Sequence, residues 1–177
     1  MSVHDPRIEA LHRRLGIAAD YATRTGLPPQ PEADTLVTVV TAAGDRPQRL
    51  VPEAAARWAR MEAAAERDAV RLLLVSAFRS VDHQAGLIER KLARGLSLEE
   101  ILRVNAAPGY SEHHSGRAVD IGTPDQEPLI EAFEDTEAFA WLRQHAHEFG
   151  FVLSYPRDNP FGIAYEPWHW ALAPDPE

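Results

Sequence analysis

The sequence has no cysteine. That removes disulfides and thiolate metal sites, so any metal must be held by histidine, aspartate or glutamate. Basic residues are scarce relative to acids. Lysine and arginine together number 18 against 27 acids, a formal charge of −9. A nucleic-acid binder would show a basic face or stripe, and anionic lipid would repel this chain. Neither nucleic acid nor membrane is an expected partner. Long apolar runs are also missing. Nothing approaches the roughly 20 apolar residues of a membrane helix. Residues 1–35 contain no signal-peptide core, because His4, Asp5, Arg7, Glu9, His12, Arg13 and Arg14 interrupt them. The expectation is a cytoplasmic protein, or a periplasmic or cell-wall one if a signal has been removed. Repeats and low-complexity tracts are absent. What remains is ordinary globular composition, 45% apolar and 25% charged over 177 residues, enough for one domain with a sizeable core.

Periodicity predicts an amphipathic helix over 6–20, with Ile8, Leu11, Leu15 and Ala18 on its apolar stripe. Gly26-Leu-Pro-Pro-Gln-Pro31 ends it in an extended connection. Leu36-Val-Thr-Val-Val40 is a strand, Gly44-Asp45 a turn and Arg49-Leu-Val51 the returning strand. Pro52 opens a helix to about Asp68. Arg71-Leu-Leu-Leu-Val-Ser76 is continuous enough for a buried central strand. A helix over 81–93 closes at Gly95, and Ser97-Leu-Glu-Glu100 is a capping box for the next. Strands follow over 117–121, 151–154 and 163–172, the last interrupted at Pro167. Between them a helix capped by Thr136 runs toward Gly150. The fold class is α+β: a small antiparallel sheet with helices packed on it. Residues 1–35 form an N-terminal helix and arm, and 36–177 one compact unit.

Two stretches carry chemistry. Ser111-Glu-His-His-Ser-Gly-Arg-Ala-Val-Asp120 offers His113 and Asp120, and Glu166-Pro-Trp-His169 offers Glu166 and His169. Two imidazoles and one carboxylate can hold a zinc ion with a fourth position left to water. The other carboxylate can then serve as general base. His113 and Asp120, seven apart, make a poor pair on one helix or one straight strand. Gly116 resolves this if it turns the chain, so that a loop with His113 lies beside a strand with Asp120. Ala118 would share the Asp120 face and leave room for an ion. Glu166 and His169, three apart, would point to opposite faces of a regular strand, and Pro167 excludes a helix interior. A kink at Pro167 and Trp168 is therefore required, with Trp168 and Trp170 packing inward to shield the ion.

His114 is the rival of His113 and is read as a surface or supporting residue. His145 and His147 do not face each other on a helix, and His4, His12 and His83 carry no metal signal. Arg79 follows a buried strand directly. Its guanidinium can polarise a scissile carbonyl or hold a substrate carboxylate in two prongs. Ser76, Ser80 and Gln84 are its candidate hydrogen-bonding neighbours, and Ser76 and Gln84 are also candidate substrate contacts. Ser111 can donate to a substrate carboxylate or cap the turn.

These blocks resemble the VanY-type D-alanyl-D-alanine carboxypeptidases of the LAS group of zinc peptidases, which also holds lysostaphin-type and hedgehog-type relatives. The resemblance runs from about Leu27 to Leu172. It takes in Leu50-Val-Pro-Glu-Ala-Ala-Ala56, Val75-Ser-Ala-Phe-Arg-Ser80, Pro108-Gly-Tyr-Ser-Glu-His113 and Phe149-Gly-Phe-Val-Leu-Ser-Tyr-Pro156. It implies a hedgehog/D-Ala-D-Ala peptidase-like fold and one Zn2+ per chain, held by His113, Asp120 and His169. It implies Glu166 as catalytic base, Arg79 as the electrophilic or substrate-gripping arginine, and Ser111 at the terminal carboxylate. The implied partner is a peptidoglycan stem peptide or D-Ala-D-Ala-terminated precursor that loses its last D-alanine. A D-Ala-D-Ala dipeptidase, an L,D-type murein endopeptidase and a non-catalytic zinc-bound binding module are the alternatives. The family often has Ser-Gly-Tyr-Arg-Ser where this chain has Ser76-Ala-Phe-Arg-Ser80, so Phe78 brings no hydroxyl. The expected state is a monomer.

Overall fold

A computed structural model describes residues 5–40, 47–124 and 126–173. The turn read at Gly44-Asp45 lies outside them. The first helix, α1 (Pro6–Leu15), starts where Asp5 accepts a hydrogen bond from the Arg7 amide. It stops earlier than the periodicity predicts, because Gly16 takes a left-handed conformation (φ 75°) and closes it. A second short helix, α2 (Tyr21–Thr25), follows and ends at Gly26. The break moves the buried stripe: Leu11, Leu15, Ile17 and Tyr21 are buried, whereas Ala18 is exposed.

Strands β1 (Val37–Val39) and β2 (Gln48–Leu50) form an antiparallel ribbon. It leads into α3 (Pro52–Arg67), which buries Ala54, Trp58, Met61 and Ala65. The main sheet is antiparallel with order β3-β4-β6-β5, where β3 is Leu73–Ser76, β4 Ala118–Gly122, β5 Phe151–Leu153 and β6 His169–Leu172. The apolar run at 71–76 is thus an edge strand, not a central one. Its apolar character has a local cause. The β1–β2 ribbon leans on it, with Gln48 donating to the Val75 carbonyl and the Phe78 amide to the Arg49 carbonyl, so the edge is partly covered. The central strands are β4 and β6, buried along their whole length. Only the last four residues of the segment read as a strand over 163–172 pair in the sheet, since Pro167 sits in a turn just before them.

Helix α4 (Val81–Ala93) is capped by Ser80, which accepts from the His83 amide. The box at Ser97 and Glu100 opens α5 (Leu98–Arg103), and Thr136 caps α6 (Glu137–His145). One apolar core lies between the sheet, α3 and α6 and includes Trp58, Met61, Val119, Ile121, Phe139 and Trp170. A second joins Leu11, Leu15, Tyr21 and Leu27 of the N-terminal arm to Val81, Ile88, Ile101, Tyr110 and Tyr155. Val119 and Ile121 of β4, with Trp170 and Leu172 of β6, face the first core. The alternate residues Asp120 and His169 therefore face the opposite side of the sheet. Among the described residues no helix is long and apolar enough to cross a membrane.

Candidate active site

Asp120 and His169 are direct partners in the β4–β6 ladder, and Ser76 is opposite Asp120 in the β3–β4 ladder. Side chains paired this way stand side by side on one face. His113 arrives from a 3₁₀ turn (Glu112–Ser115) that Gly116 closes in the left-handed region (φ 66°). A side chain on Gly116 would come within 2.9 Å of Leu36 and 3.2 Å of the Val51 amide. The turn therefore folds tightly enough to lay His113 over the strand that carries Asp120.

The donor atoms converge. Asp120 Oδ2 is 3.2 Å from His113 Nε2, and Asp120 Oδ1 is 3.0 Å from His169 Nδ1. One donor atom from each of the three buried residues lies within 4.8 Å of the other two. A tetrahedral ion with bonds of about 2.0–2.1 Å needs its ligand atoms about 3.3 Å apart, so the cradle fits a metal. The outward nitrogens are both tied. His113 Nδ1 donates to the Ala77 carbonyl at 2.6 Å, and His169 Nε2 donates to Glu112 Oε2 at 2.8 Å. In the neutral imidazoles that a metal requires, each bond selects the tautomer and turns the remaining lone pair inward.

Burial alone would raise the Asp120 carboxyl, but His113 and His169 more than offset it and hold Asp120 far below the usual carboxylate range. Burial would likewise lower His169, yet its hydrogen bonds to Asp120 and Glu112 raise it above the ordinary imidazole value. Without a metal, the proton of the site therefore resides on His169 between two carboxylates. His113 is pushed down by burial, only partly countered by Asp120. Burial pushes Glu112 up, and the hydrogen bonds from His169 and Ser154 with the His169 charge reverse this and leave it below the ordinary range.

Glu166 enters from the turn before β6, where the Glu166 amide donates to Tyr155 and the His169 amide to the Glu166 carbonyl. The bend falls where Pro167 requires one. Glu166 Oε2 is 3.9 Å from His169 Nδ1, and its carboxylate accepts no hydrogen bond among the described residues. Burial pushes it up to about 7, opposed by His169 and reinforced by Asp120. Arg79 sits between β3 and α4. Its guanidinium donates to Gln84 Oε1 at 2.9 Å and Ser76 Oγ at 3.4 Å, and lies 3.9 Å from Asp120 Oδ2. Gln84 is fully buried and spends its amide nitrogen on the Ala106 carbonyl. Ser76 and Gln84 thus gather around Arg79, while Ser80 is occupied as a helix cap. Ser111 is buried, its hydroxyl caps nothing, and it lines the cleft over the cradle.

Three readings are resolved. Of the surface and supporting roles open to His114, the structure gives the second: it is fully buried, donates from Nδ1 to the Arg79 carbonyl at 2.6 Å and accepts from the Gly109 amide at 3.1 Å. Burial holds it neutral, at about 4, so it clamps the Arg79 and Gly109 backbones together. Trp170 does not shield the cradle. It is adjacent to His169 along β6 and faces the other side of the sheet, against Phe139, so only Trp168 lines the cleft. Phe78 lies under Arg49 and is not among the residues that line the cleft. The cleft, about 460 Å³, is also walled by residues the sequence did not single out: Leu87, Lys91, Val104, Leu129, Tyr155 and Ile163. Glu112 was missed too. It stood in plain view beside His113, but only the 3₁₀ turn reveals that it reaches His169.

Fold and site together define the class: a small α+β domain with a His/Asp/His metal cradle beside a free carboxylate, the arrangement of a metallopeptidase. The chain belongs to the VanY family, described as D-alanyl-D-alanine carboxypeptidase, whose model matches residues 47–175. It is 36% identical over 128 residues to the bifunctional D-Ala-D-Ala dipeptidase and D-Ala-D-Ala carboxypeptidase VanXYC of Enterococcus gallinarum, covering 68% of this chain and 65% of that one. The match thus spans just under two thirds of that relative. Among solved structures, the LdcB LD-carboxypeptidase superposes with a TM-score of 0.72 at 30% identity, over 82% of this chain and 71% of that one. VanYB in complex with D-alanine-D-alanine gives 0.64 at 26% identity, over 81% of each chain.

Proposed function

We propose that this chain is a zinc-dependent D-alanyl-D-alanine carboxypeptidase that removes the terminal D-alanine from peptidoglycan stem peptides or their precursors. The observation that carries the reading is Glu166, a largely buried carboxylate that stands 3.9 Å from His169 beside the cradle without joining it, its pKa pushed up to about 7 by burial. A general base is most effective with a pKa near the working pH. Two imidazoles and a carboxylate, with no thiolate, suit zinc. Bound zinc would supply a Lewis acid for the scissile carbonyl and lower the pKa of a water molecule it holds. Glu166 takes the proton from the attacking water and returns it to the departing amine. Arg79, steered by Ser76 and Gln84, stabilises the negative charge that grows on the carbonyl oxygen. Ser111 donates to the terminal carboxylate, and Trp168 and Tyr155 keep bulk water from the cradle. The names of VanXYC and of the D-alanine-D-alanine complex of VanYB support this substrate class.

The test is mass spectrometry of a muropeptide ending in D-Ala-D-Ala after incubation with the zinc-loaded chain. Loss of one D-alanine, blocked by a chelator, is the expected result. Release of the intact dipeptide or of larger fragments overturns the carboxypeptidase assignment, and no chelator-sensitive cleavage overturns the enzyme.

A further inference from the structure

The chain contains a single lysine, Lys91, and its other seventeen basic side chains are arginines. That lysine lines the cleft over the metal cradle. Gln84, Leu87 and Lys91 are spaced three and four residues apart on α4 and share one helix face, and all three line the cleft. Lys91 is partly buried. Among the described residues its ammonium has no hydrogen-bond or ion-pair partner. Burial and Arg79 push its pKa down, while Glu166 pulls it up, and all three side chains line the same cleft. A partly desolvated cation without a counter-charge is costly. The apolar side chains that also line the cleft, Leu87, Val104 and Ile163, do not relieve that cost.

Two of the other strong donors of the cleft, Gln84 and Arg79, are committed. Gln84 is buried and both ends of its amide are used. Arg79 is tied to Gln84 and Ser76 and lies 3.9 Å from Asp120, which suits the scissile carbonyl oxygen. Ser111 offers a neutral hydroxyl. A carboxypeptidase substrate brings a full negative charge one residue beyond the scissile carbonyl, into this same cleft. We infer that Lys91 is the end-recognition residue, whose ammonium pairs with the free carboxylate of the substrate's last residue and selects chain ends over internal peptide bonds. The inference rests on the carboxypeptidase reading and assigns one specificity determinant within it. The apolar residues of the same cleft, Leu87, Val104 and Ile163, suit the methyl group of alanine on that same residue.

The test compares an acyl-D-Ala-D-Ala peptide as the free acid with its C-terminal amide, using zinc-loaded wild type, Lys91→Met and Lys91→Arg. Methionine keeps the packing of the lysine stem and removes only the charge. Wild type is expected to favour the acid by about 100-fold or more in kcat/KM. Removing one partner of a desolvated charge pair is worth at least about tenfold. Lys91→Met should therefore lower the acid-to-amide ratio by that factor or more through KM on the acid, with the amide rate within about threefold of wild type. Lys91→Arg should keep most of the ratio. An unchanged ratio in Lys91→Met, or an equal fall on both substrates, overturns the proposal. A second measurement works even if wild type cleaves neither peptide. Amine acylation read by peptide mapping reports Lys91 as the only side-chain amine. D-Ala-D-Ala as the free acid should protect it and the amide should not. Protection without cleavage would sink the carboxypeptidase reading and leave end recognition standing; cleavage without protection does the reverse.

Discussion

Glu112 shows how one hydrogen bond decides which nitrogen of an imidazole meets a metal. Its carboxylate takes the Nε2 proton of His169 at 2.8 Å, so Nδ1 is left to face Asp120. Glu112→Ala is expected to weaken zinc binding by about 10–100-fold, the usual scale for losing such a support. A competitive chelator titration reads it, and an unchanged affinity would remove Glu112 from the site. The raised pKa of His169 has a second consequence. At neutral pH its proton must leave before a metal enters, so zinc uptake should release a proton and weaken as the pH falls. Calorimetry in two buffers of different ionisation enthalpy measures that release directly. Glu166 works in the opposite sense. Its folded pKa is raised to about 7, so its favourable contribution is complete only below the ordinary carboxylate value and is lost as pH rises through about 7. Glu166→Gln should therefore stabilise the metal-free protein at pH 8, by up to about 3 kcal/mol, keep zinc, and lose at least about 10²-fold in turnover. Thermal melts and zinc analysis of the one variant test all three.

At the scale of elements, the 3₁₀ turn ending at Gly116 is the joint on which the site depends. The glycine has φ 66°, and an added Cβ would press on the Val51 amide, which itself donates to the Gly116 carbonyl at 3.1 Å. Gly116→Ala should cost about 1–3 kcal/mol from strain and should also weaken zinc binding, because His113 rides on the same turn. Denaturant unfolding with zinc titration separates it from an ordinary loop glycine, which would show neither effect. The start signals of α5 and α6 were legible because a cap acts on amides two or three residues away. The edge position of β3 was not, because a run of apolar side chains reports burial and not which neighbours do the burying. The face of Trp170 followed from the register with β4, which lies far away in sequence.

For the molecule as a whole, the N-terminal arm is the less obvious part of the design. The family match begins at residue 47, yet Leu11, Leu15, Tyr21 and Leu27 complete the second core. The arm also braces the loop ahead of the metal motif. Tyr21 Oη accepts from the Ala107 amide, the Gln30 amide donates to Gly109, and the Ala33 amide donates to His114. Tyr21→Phe leaves the buried Ala107 amide unpaired and should cost about 1–3 kcal/mol, measured by denaturant unfolding. No loss would show that the arm only lies against the body.

The sequence by itself determined most of the element types, the caps of α5 and α6, the break at Pro167, and the four residues His113, Asp120, Glu166 and His169 as the place to look, since residue chemistry and short-range backbone preferences are local properties. Tertiary structure decided the rest. Asp120 meets His169 through a ladder pairing across 49 residues, His114 turns inward to hold the Arg79 backbone, Glu112 reaches His169, and the lone lysine comes to line the metal cleft. Each of these depends on strand order and on how loops fold back over a sheet. Those outcomes are set by burying two cores at once, and no single segment encodes them.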